Sequence, residues 1–147
     1  MGANLSLAAE SAIPVPPWLD TQTANLVRAI TVRVSQRHPD LRAVILFGSI
    51  ARHDERPLGD QEPSDVDLLL IFDLPPGANR LPYAQSLAIY ESVGMARDRY
   101  LHTPREVQVL LATGELTDWD PTFVANVARD RIILWSQGPL PASLTTP

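Results

Sequence analysis

The chain has 147 residues, a formal charge of −5, 45% hydrophobic and 20% charged content, the profile of one soluble globular domain with a sizeable core. The absence of cysteine excludes a disulfide framework or a thiolate metal site, and the scattered His38, His53 and His102 argue against histidine-held zinc. The acidic balance speaks against broad electrostatic binding to DNA or RNA; no run nears the roughly 18 apolar residues of a membrane span, and the cytoplasm is the expected compartment.

Residues 1–19 carry Pro14, Pro16 and Pro17 and predict an irregular lead-in, without the basic and apolar regions of a signal peptide. Leu26, Ile30 and Val34 recur every four residues, with Val27 beside them. That spacing predicts an amphipathic helix, capped by Asp20 or Thr21 and stopped by Pro39. The apolar run 42–47 reads as a strand buried on both faces. Gly48 then turns the chain and residues 49–52 begin a short helix.

Residues 53–63, HDERPLGDQEP, predict a mobile polar loop. A second buried strand is expected over 65–72, ended by Pro75-Pro76-Gly77. Pro82 suits the first turn of a helix to about residue 100, with Leu87, Tyr90 and Met95 expected inward. A third strand over 106–111, a helix over 122–129 begun at Asp120-Pro121, and a fourth strand over 131–135 follow. The tail, 137–147, is expected to be disordered. The order predicts an α/β (α+β) domain over 20–136, a small mixed sheet flanked by helices.

The chemistry concentrates where the first strand ends and the second begins. Alternation along a strand points Asp65 and Asp67 the same way. Two adjacent carboxylates repel, and a divalent cation is their cheapest partner; hard oxygen donors favour Mg²⁺ or Mn²⁺. Gly48 has no Cβ and permits close backbone approach to a phosphate. The Ser49 hydroxyl and the free amides of the following turn supply donors, and Ser64 can donate to a carboxylate or a phosphate. The simpler reading of each part is a turn and a solvated corner; their succession at the ends of buried strands favours a metal–triphosphate site.

The pattern G-S-x-A-R, a polar loop, then S-D-x-D-L before an apolar strand, on Gly48, Ser49, Ala51, Arg52, Ser64, Asp65, Asp67 and Leu68, resembles the signature of the polymerase-β-like nucleotidyltransferase superfamily. It is most similar to the minimal nucleotidyltransferases, many of which are antitoxins of HEPN-domain toxins, and the likeness spans roughly residues 20–136. The resemblance implies the polymerase-β-like nucleotidyltransferase fold, with Asp65 and Asp67 holding two metal ions about 3.5–4 Å apart. It implies that Gly48 and Ser49 cradle the triphosphate and that Arg52 and Ser64 contact nucleotide. For Arg52, bridging its helix to an acidic neighbour is nearly as good a reading. The implied reaction moves AMP from ATP to a protein acceptor, a partner HEPN toxin.

Two positions depart from the family pattern. His53 stands where the family usually has glycine. Gln108 falls where the superfamily puts a third carboxylate, and glutamine neither takes a proton nor serves Mg²⁺ well. Glu106, two residues back on the same strand face, is about 6.6 Å away and is the candidate to act in its place. The alternative is a catalytically impaired module that binds and inhibits its partner without turnover; transfer to a small molecule such as an antibiotic ranks third. Trp18, Trp119 and Trp135 are read as margins of the core, the acidic residues of the loop as solvated, and Asp73 as a strand cap.

Overall fold

The computed structural model describes residues 9–99 and 105–145. After a helical turn at 9–11 and an irregular segment, Asp20 opens α1 (Thr21–Arg37), its carboxylate accepting from the Thr23 amide, as helix starts favour. The elements that follow are β1 (Leu41–Phe47), α2 (Gly48–Arg52), β2 (Val66–Phe72), α3 (Tyr83–Asp98), β3 (Val107–Thr113), α4 (Pro121–Asp130), β4 (Ile132–Ser136) and a 3₁₀ turn, Ala142–Leu144. This is the expected α/β order, with ends moved by one or two residues.

The strands form one sheet in the order β3-β2-β1-β4. β1 pairs antiparallel with both β2 and β4, whereas β2 and β3 run parallel, so the sheet is mixed. The two middle strands are apolar on both faces because both faces are covered. Val44, Leu46, Leu68, Leu70 and Phe72 join the cluster beneath α1 and α3; Ala43, Ile45, Leu69 and Ile71 join a second cluster with Val127 of α4.

The described structure departs from expectation in two places. α3 buries Ile89, Ser92, Val93 and Ala96, while Leu87, Tyr90 and Met95 are exposed together with Tyr83. Ile89, Val93 and Ala96 are spaced at i, i+4 and i+7, a complete helical stripe, and it is this narrow stripe that packs inward. The C-terminal segment, expected to be loose, folds back over the sheet's second face. Leu144 is fully buried in the second cluster, with Leu140 packed beside it, and the Gln137 side chain donates to the carbonyls of Pro39 and Leu41. Its two leucines bury apolar surface that the prolines around them disguise. Among the described residues no helix is long and apolar enough to cross a membrane.

Candidate active site

β1 hands the chain to α2 through Gly48, whose φ of +80° lies in the left-handed region that costs residues with a Cβ. Space imposes the same choice. A Cβ on Gly48 would lie 3.2 Å from Asp67 Cγ and nearer still to its Oδ2. The end of β1 and the second aspartate are thus in direct contact. Gly48→Ala is expected to destabilise the fold on the order of 1–3 kcal/mol, read as a lower urea midpoint, and to displace the Asp67 carboxylate.

α2 is short, buries Ile50 and Ala51, and ends on His53 in the left-handed region with φ 62°. That conformation is the physical reason a glycine would suit this position. His53 is held there by Trp18, whose indole stacks on the imidazole at 4.7 Å and 15° and donates to the Ile50 carbonyl at 2.8 Å. Trp18 is therefore at the core margin, where it fixes the end of α2.

The loop after α2 closes on itself. Ser64 is buried; its hydroxyl accepts from the Arg56 amide at 2.7 Å, and its own amide donates to the Arg56 carbonyl at 3.3 Å. The hydroxyl is thus turned toward the base of the loop. Arg52 pairs with Asp130 at 2.8 Å and Asp54 at 3.2 Å, the bridging arrangement. Burial pushes the Asp130 carboxyl up, but the hydrogen bonds of Arg129 and Arg52 outweigh it, and the net shift is downward.

Asp65 immediately precedes β2 and Asp67 is its second residue, each half-buried. Asp67 lies opposite Gln108 in the parallel register, and Gln108 Nε2 donates to Asp65 Oδ2 at 2.8 Å. The structure therefore brings Gly48, Asp65, Asp67 and Gln108 together. Glu106 is exposed ahead of β3; its backbone carbonyl accepts from the Val66 amide. Among the described residues no group of three His, Cys, Asp or Glu is placed to hold a metal ion. The chain's own offer is a pair of carboxylates.

Burial, and secondarily the Asp65 charge, push the Asp67 carboxyl up to about 6, against a smaller opposing pull from Arg52. An acid with a raised folded-state pKa holds its proton longer in the folded than in the unfolded chain. The contribution of Asp67 to stability then falls as pH rises from about 4 to about 6 and levels off above. Urea midpoints measured across that window should show the decline in the wild type and lose it in Asp67→Asn.

Two neighbouring carboxylates, with Asp67 partly desolvated, fit a hard divalent cation, which needs only one or two carboxylates when phosphate oxygens and water complete its shell. Asp65 and Asp67 would hold it. Sequence reasoning missed Arg105, which is buried beside this site, and Asp130, the partner of Arg52. A lone arginine before a strand carries no signal, while the run Arg129-Asp130-Arg131 hinted at a charge cluster.

No protein-family model matches the chain, and no curated protein matches it. Among solved structures it is similar to a Sulfolobus solfataricus protein assigned as a nucleotidyltransferase, at 18% identity and a TM-score of 0.46 over 82% of this chain and 92% of that one. It is also similar to a toxin–antitoxin structure with AMP-PNP, at 15% identity and a TM-score of 0.48 over 80% and 75% of the two chains. A mutant of the toxin–antitoxin MntA-HpeT aligns at 16% identity and a TM-score of 0.45 over 74% and 70%. The chain is a small mixed α/β protein with a distant likeness to structures described as nucleotidyltransferases and toxin–antitoxin assemblies.

Proposed function

We propose that the chain is a Mg²⁺- or Mn²⁺-dependent nucleotidyltransferase of antitoxin type, moving AMP from ATP to a protein acceptor, a HEPN-type toxin, in the cytoplasm. The observation that carries this reading is the contact of Gly48 with Asp67 beside Asp65: a carboxylate pair at a turn where no Cβ intrudes. When bound, the metal supplies charge neutralisation at the triphosphate and polarises the acceptor hydroxyl. The chain's residues hold and orient. Asp65 and Asp67 would hold the cation, Gly48 leaves room for the Asp67 carboxylate, and Ser49 would offer its hydroxyl to the phosphates. Arg52, committed to Asp130 and Asp54, contributes positive charge near the phosphates from its place at the end of α2.

The test is incubation of the chain with Mg²⁺, labelled ATP and the protein encoded beside it. Label on the partner, lost with EDTA, supports the reading; no label under any metal overturns it.

A second reading is favoured by one observation, the Gln108 to Asp65 hydrogen bond. It places an amide where an acid would complete the site and supports a module that binds and silences its partner without turnover. Neutralisation of the partner that survives Asp65→Asn would select this second reading.

A further inference from the structure

We infer that Arg105 is the positioning residue of the carboxylate pair. Its side chain is only 3% exposed, and a guanidinium is costly to bury unless every face finds acceptors. The acceptors it finds belong to three separated segments. Nη1 donates to the Arg56 carbonyl and to the Ser64 carbonyl, each at 2.8 Å; Nε donates to Thr23 Oγ1 at 3.1 Å; Nη2 lies 3.6 Å from Asp20 Oδ1. One side chain thus ties the start of α1, both ends of the 56–64 loop and the entry to β3.

The Ser64 carbonyl is the acceptor that matters for the site, because it belongs to the peptide that leads into Asp65. With the Val66 amide bonded to the Glu106 carbonyl at 2.8 Å, the backbone on both sides of Asp65 is fixed, by the Arg105 fork on one side and by β3 on the other. The Ser64–Arg56 hydrogen bonds close the loop above it. Planar, doubly donating geometry is what a guanidinium provides and an ammonium does not. Arg105 therefore determines where Asp65 emerges, and through the Gln108 bond to Asp65 how the pair presents itself to a cation.

The inference rests on the proposed metal site, and its test separates the two. Mn²⁺ affinity, read by the electron paramagnetic resonance of free Mn²⁺, is compared for wild type, Arg105→Met, Arg105→Lys and Thr23→Val, with amide exchange of residues 56–66 measured on the same samples. Val127→Ala, a core truncation in the second cluster, serves as a destabilised control. Arg105→Met is expected to weaken Mn²⁺ by about tenfold or more, the loss typical when support behind a metal ligand is removed, and to speed loop exchange. Arg105→Lys should recover only part of the affinity. Thr23→Val, which removes one acceptor far from the loop, should move both readouts in the same direction by a smaller factor and covers the case in which Arg105→Met does not fold. Wild-type affinity in folded Arg105→Met or, failing that, in Thr23→Val overturns the positioning role, as does an equal loss in Val127→Ala; the metal reading survives either result. A wild type that binds no Mn²⁺ overturns the metal reading and the positioning role with it.

Discussion

Gln108→Glu is expected to tighten Mn²⁺ or Mg²⁺ and to raise label transfer by about 10²–10⁴-fold, the range a well-placed acid or base supplies. Position 108 lies opposite Asp67 in register, and its side chain already reaches Asp65 at 2.8 Å. A carboxylate there would make the pair a trio on adjacent parallel strands and add a proton acceptor that the amide lacks. The exchange has a cost without metal, since it replaces a hydrogen-bond donor to Asp65 with a third negative charge. The variant should therefore melt at lower temperature in EDTA and regain the difference when Mg²⁺ is added. Isothermal titration gives the affinity and labelled ATP the rate. Unchanged affinity would mean that position 108 does not reach the cation, and the part assigned to it would be withdrawn.

Asp67→Asn carries the second large effect, in the opposite direction. Burial and the neighbouring Asp65 charge push the Asp67 carboxyl up to about 6, and it packs on Gly48. Removing its charge relieves the crowding with Asp65, so the variant should be as stable as the wild type at pH 7 or more so. Metal binding and transfer should nevertheless fall by at least about 100-fold, beyond the loss seen when only supporting groups are changed. Gain in stability combined with loss of transfer is the signature of a site that strains for function rather than for fold. A variant that loses stability while keeping transfer would contradict both parts. Glu106→Gln is the companion measurement. With Glu106 exposed ahead of β3, transfer that survives the change would show that this acid is not the base the resemblance sought.

The fold was legible where burial writes itself into composition. Strands 42–47 and 65–72 are apolar on both faces because helices cover both faces, and no other element type suits such short runs flanked by turn residues. The Gly48 and Asp65-x-Asp67 juxtaposition was legible because a glycine turn and paired acids are chemical statements. The inward face of α3 was not. Leu87 and Tyr90 are larger than Ser92 and Ala96, yet α3 turns the stripe of Ile89, Ser92, Val93 and Ala96 inward. Arg105 was illegible for a different reason. Three of its four acceptors are two backbone carbonyls and a hydroxyl, and backbone carbonyls leave no mark on the sequence. His53 stood out as a departure from pattern, but only its positive φ and the Trp18 stack show how the departure is accommodated.

The burial of Leu144 makes the turn at Ala142–Leu144 a wall of the molecule. Clipping the chain behind Ser136 would leave a slot beside Ile71 and Val127, roofed by nothing and lined by carbon. Water entering that slot would find no hydrogen-bonding groups to repay it, so the loosened face would seek other apolar company. A chain shortened at this end should thus become sticky before it becomes unfolded, and a purification tag is better carried at the opposite terminus.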